Sequence, residues 1–173
     1  MRSMVESKEQ NTPCKVDAHV HLTNPDAITS LRAAGVSTVR DAGTKDGTGL
    51  RLLNVSPWLF IQSAGRALSR KGGYGGMFGK PLDTDQEIRE EIRALQKSGA
   101  GIIKIMASGI VSLSEPGTIT AGGFSAEQLS MIVNEAGNLG LSVMAHANGE
   151  DAILHAARAG VRSIEHGFFM TEA

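Results

Sequence analysis

One cysteine, Cys14, stands in 173 residues, which excludes a disulfide within this sequence and suits a reducing cytoplasm. Charge of either sign is not in excess: 17 basic against 18 acidic residues leave a net charge of −1. That balance argues against a nucleic-acid partner or an anionic membrane surface. No apolar run approaches the roughly 20 residues of a membrane-spanning helix. The first ten residues are polar, so no secretory leader is expected. Nucleotide and serine-nucleophile signals are also missing. Gly-Thr-Lys-Asp-Gly-Thr-Gly at 43–49 lacks the Gly-Lys-Ser/Thr ending of a phosphate loop, and no serine sits in a nucleophile elbow. What the chain has in excess is glycine, 21 residues, many of them where helices or strands should end.

The pattern is that of an α/β chain. Residues 1–14 read as a flexible polar lead-in, and 15–173 as one domain. About six short apolar runs, at 15–21, 37–41, 58–62, 102–106, 142–146 and 163–166, alternate with helical patterns, as in a parallel sheet. Asn24-Pro25 opens a first helix that Gly35 stops. Thr84 with Glu87, and Ser125 with Gln128, form capping boxes ahead of apolar stripes. A short helix over 150–159 ends at Gly160. Two longer connections, 64–82 and 110–124, follow strands and should lie over the strands' carboxyl ends. The basic, glycine-rich stretch at 70–76 reads as a mobile substrate-covering loop; RNA contact is the weaker reading.

Four chemical signals sit at or near strand ends. His19 and His21 are two residues apart, so a strand points both the same way and both can bind one ion. A chance pair facing solvent explains them equally well. Lys104 stands within Ile-Ile-Lys-Ile-Met, a run expected to be buried on both faces. It either snorkels out of the sheet or is a desolvated amine that carbon dioxide has converted to a carbamate able to bridge two cations. His146 and His166 each close an apolar run and are as readable as hydrogen-bonded core histidines. His155, inside a helix, reads as structural or exposed, and Glu165 should point away from His166 along its strand.

Taken in order, Asp-Ala-His-Val-His-Leu at 17–22, Gly-Val-Ser-Thr-Val-Arg-Asp-Ala-Gly at 35–43, Ile-Lys-Ile-Met-Ala-Ser-Gly at 103–109, Met-Ala-His-Ala at 144–147 and Ser-Ile-Glu-His-Gly at 163–167 carry a resemblance. The chain resembles the amidohydrolase superfamily, in particular its imidazolonepropionase-like and Xaa-Pro dipeptidase-like members. The resemblance implies a (β/α)8 TIM barrel with one or two divalent metals, usually zinc, at the carboxyl end of its strands. His19 and His21 would hold one metal and His146 and His166 the other, with carboxylated Lys104 bridging. A metal-bound hydroxide would attack an amide or cyclic amide carbonyl of a small-molecule substrate. Arg66, Tyr74, Ser108 and Gly109 are the candidate substrate contacts.

The family's eighth-strand aspartate, its proton shuttle, has no counterpart here, and a full barrel takes about 250 residues. The expectation is therefore a partial barrel lacking its last two βα units. It would be a fragment, or would be completed by self-association or by a missing C-terminal half. Two competing readings are a non-catalytic metal-binding or assembly module, and a lactonase or phosphoesterase on the same scaffold.

Overall fold

Two helices, Asp85–Lys97 and Ala126–Asn138, start on capping boxes, and each strand that follows a helix pairs in parallel with an earlier strand. The structure is a computed structural model describing residues 14–172. The expected lead-in lies outside these residues except for Cys14, which is exposed. The elements run β1 (Lys15–Val20), α1 (Asp26–Ala33), β2 (Val36–Asp41), α2 (Thr48–Arg51), β3 (Phe60–Ser63), β4 (Ala67–Arg70) and β5 (Gly79–Leu82). They continue with α3 (Asp85–Lys97), β6 (Ile103–Met106), α4 (Ala126–Asn138), β7 (Val143–Ala147), α5 (Glu150–Ala159) and β8 (Ser163–His166). All pairings between these strands are parallel.

The strand order is β1-β2-β3 in one sheet and β5-β4-β6-β7-β8 in the other. β3 and β4 are separated only by residues 64–66 and behave as one interrupted strand. Its first half pairs with β2 and its second half with β6. The backbone bonds on both sides of the break, Ala64 N–H to Asp41 O and Gly101 N–H to Ser63 O, are each 2.9 Å. The main course is thus β1, β2, β3/β4, β6, β7, β8: six parallel positions, as expected, making a partial barrel wall.

The reading of 64–82 as a long connecting loop is corrected. β4 and β5 both lie in it, and β5 adds a strand beside β4. Gly79 explains the tight pairing, because a Cβ there would stand 1.8 Å from the Ala67 carbonyl oxygen. α2 was also not anticipated. The third strand begins two residues later than expected, at Phe60.

The main core lies between the sheet and helices α3 to α5. Ile103 and Ile105 of β6 meet Ile88 and Ile92 of α3 and Leu129 and Ile132 of α4 there. A second cluster, Leu22, Val39 and Ile61 with Ile28 and Leu31 of α1, seals the other sheet. In α3 the Thr84 side chain accepts from Glu87 N–H while Glu87 Oε2 accepts from Thr84 N–H, completing the box. Thr84→Ala should lower unfolding free energy by about 1 kcal/mol, read from the urea midpoint at unchanged slope. A shift below a few tenths would show that the box does not hold this helix. No helix among the described residues is long and apolar enough to cross a membrane.

Candidate metal centre

The carboxyl ends of β1, β6, β7 and β8 bring the histidines together. Ring centroids of His21 and His19 are 5.4 Å apart, His19 and His166 5.1 Å, and His166 and His146 4.8 Å. Lys104 stands among them, 1% exposed, with its Nζ without a hydrogen-bond partner among the described residues. Burial lowers its pKa to about 8, against the opposing pull of Glu165.

Three of the four rings have one nitrogen committed to the protein. His21 Nδ1–H donates to Gly43 O at 2.6 Å, and His146 Nε2–H donates to Gly109 O at 2.9 Å. His19 Nδ1–H donates to Glu165 Oε2 at 2.7 Å. Each leaves the other ring nitrogen for a ligand. Burial lowers the pKa of His21 and His166, and takes His146 down to about 4, so these rings are neutral at pH 7 and carry a free lone pair. Among the described residues no three His, Cys, Asp or Glu side chains form a ready cage for an ion by themselves. What the site offers is a row of four imidazoles around an amine that has no hydrogen-bond partner among the described residues. That donor set suits an ion of zinc's borderline softness once an anionic oxygen joins it.

β8 ends in an unusual way. His166 has φ of 72°, the left-handed region that side chains rarely adopt. Glu165 was expected to point away from His166, and its contact with His19, whose ring centroid lies 5.1 Å from that of His166, corrects that expectation. Its carboxylate turns toward the histidines and is 8% exposed. Burial would raise its pKa, but bonds from His19 and Ser163 and the charges of Arg40 and Lys104 bring it to about 2.

The other named residues divide. Tyr74 lies at the site, its ring 5.1 Å from that of His146. Ser108 Oγ donates to Gly109 O and accepts from Asn148 N–H. Ser108 and Gly109 line an open cavity of about 340 Å³ with Thr120, Gly122, Asn148 and Glu150. Arg66 is not brought to the cluster: its guanidinium donates twice to Glu91 Oε1, at 2.9 and 2.6 Å. His155 lies on α5, outside the cluster.

Sequence reasoning missed Phe78, whose ring stacks on His21 at 4.4 Å. It also missed Asp41, fully buried, which accepts from Leu22 N–H, Gly43 N–H and Ser63 Oγ and so ties down the loop that holds His21. Asp41 sits in the β2 run that carried part of the resemblance, and this was its only signal.

Known proteins share this fold. A curated relative, ochratoxinase of Aspergillus niger, is 31% identical over 137 residues, which is 65% of this chain and 28% of that protein. A prolidase solved with N-methylphosphonate-L-proline superposes with TM-score 0.74 at 30% identity, over 92% of this chain and 48% of that one. A Xaa-Pro dipeptidase solved with methionine in its active site gives 0.73 at 26%, over 92% and 49%. The chain therefore spans about a quarter of the curated relative and about half of the solved chains. The model of the amidohydrolase family matches residues 12–173, nearly the whole sequence, and this chain belongs to that family.

Proposed function

We propose that the protein is a metal-dependent hydrolase of amide or cyclic amide carbon–nitrogen bonds. The observation that carries this reading is Lys104, a buried amine with no hydrogen-bond partner among the described residues, set among four imidazoles. An unpaired buried ammonium is costly, so the position is hard to explain as structure alone. As a neutral amine it adds to carbon dioxide: a nitrogen–carbon bond forms as one carbon–oxygen π bond opens, one proton leaves to solvent, and the neutral amine becomes an anionic carbamate.

His19 and His21 would hold one divalent ion and His146 and His166 a second, with the Lys104 carbamate between them and zinc the metal that the donors suit best. Bound there, such ions lower the pKa of water and polarise a substrate carbonyl. The chain's own contribution is to keep His21, His146 and His166 neutral by burial and to orient three of the four rings through their second nitrogen. Tyr74 beside His146 and the Ser108–Gly109 turn beside the cavity would contact the substrate, and the prolidase and ochratoxinase among the relatives support an amide substrate.

Elemental analysis of the full chain, purified without chelator or nickel, tests the reading together with hydrolysis of Xaa-Pro dipeptides. About two zinc ions per chain are expected. Lys104→Ala should lose metal and turnover while His155→Ala keeps both, and bicarbonate should raise metal uptake. Equal metal content in the two variants would overturn the bridging role of Lys104.

A further inference from the structure

Among the committed ring nitrogens, that of His19 alone is held by a charged group. His21 and His146 donate to backbone carbonyls, whereas His19 donates to the carboxylate of a residue 146 positions away. Glu165 is braced for this. Its Oε1 accepts from Arg40 Nη2 at 2.8 Å and from Ser163 Oγ at 2.7 Å, which leaves Oε2 for His19. Arg40 in turn donates through Nε to Ala18 O at 2.8 Å, the residue before His19. One guanidinium of β2 therefore fixes both the carboxylate of β8 and the backbone of β1. Glu165 is not the partner of Lys104, whose Nζ has no hydrogen bond among the described residues.

We infer that Glu165 is a positioning residue, which holds His19 as the tautomer protonated at Nδ1 and so keeps the Nε2 lone pair free for a metal ion. The inference rests on the metal reading above for its purpose, but not for its geometry. Ligating histidines commonly donate their other ring N–H to an oxygen that fixes the tautomer, and loss of that partner costs about 10- to 100-fold in metal affinity.

Glu165→Gln separates positioning from simple support because it keeps the shape. Arg40 and Ser163 both donate, so they select the amide oxygen of the glutamine. The amide nitrogen then faces His19 Nδ1, which must become an acceptor, and the proton moves to Nε2. Histidine-selective ¹⁵N NMR on the metal-free full chain at pH 8 reads this directly. His19 is expected to carry its proton on Nδ1 in the unmodified chain and on Nε2 in Glu165→Gln. Zinc affinity, measured by competition with a chromophoric chelator, should fall about 10- to 100-fold in the variant.

A proton on Nε2, or on both nitrogens, in the unmodified chain overturns the inference, and so does an unchanged tautomer with unchanged affinity in the variant. The unmodified chain needs no substitution, so a Glu165→Gln chain that fails to fold leaves that result decisive. If the unmodified chain shows the Nδ1 tautomer but binds no zinc, the metal reading fails while the positioning geometry stands.

Discussion

Lys104→Met should make the metal-free protein more stable at pH 7 while it abolishes binding of the paired metals. The two effects share one cause. Lys104 is 1% exposed and its Nζ has no hydrogen-bond partner among the described residues, so the charged form is desolvated without compensation. Burial brings its pKa from 10.5 down to about 8. Between those two values the unfolded chain holds a proton that the folded chain has released, so stability rises with pH across that window and sits at its lower level below pH 8. A depression of this size corresponds to about 3 kcal/mol. Methionine fills a similar volume with no charge, so the variant should recover up to about that amount at pH 7. It should also show no rise from this residue between pH 8 and 10.5. Urea unfolding at pH 7 and pH 10 reads the stability, and elemental analysis the metal. A less stable variant at pH 7 that keeps its metal would sink both the buried-amine argument and the bridging role.

Asp41→Ala should be the most damaging single truncation near the site. The carboxylate is fully buried and accepts from Leu22 N–H at 2.9 Å, Gly43 N–H at 3.3 Å and Ser63 Oγ at 2.6 Å. These donors come from the ends of β1, β2 and β3, so one side chain laces three strands where the histidines emerge. Alanine leaves buried donors unsatisfied at about 1–3 kcal/mol each, and a total loss of about 3–5 kcal/mol is expected. The Gly43 carbonyl that accepts from His21 would also be released, so metal affinity should fall with stability. Asp41→Asn should recover part of the loss, because its oxygen can keep the two backbone donors and the Ser63 hydroxyl can turn to accept. A loss below about 1 kcal/mol in Asp41→Ala would show that this lacing contributes little.

Helix ends were the most legible part of the fold because capping is local. Thr84 with Glu87 and Ser125 with Gln128 bracket α3 and α4, and α5 occupies the residues read from sequence. β4 and β5 were illegible because nothing local marks them. Ala67–Arg70 is short and polar in part, Gly79–Leu82 contains glycine and proline, and their extended form comes from pairing with each other and with β6. Arg66 was expected near substrate on the strength of its loop. The structure draws it instead to Glu91, a buried carboxylate on α3 that also pairs with Lys80.

By itself the sequence determined which strand ends the candidate residues occupy, since residue type, strand period and helix caps depend on near neighbours. Only the tertiary structure decided how those residues face one another. Glu165 reaches His19 across the sheet while Arg40, 125 residues earlier, holds the carboxylate in place. Such contacts join strands that are remote in the chain, and their geometry depends on sheet curvature and register, which no local pattern of residues encodes.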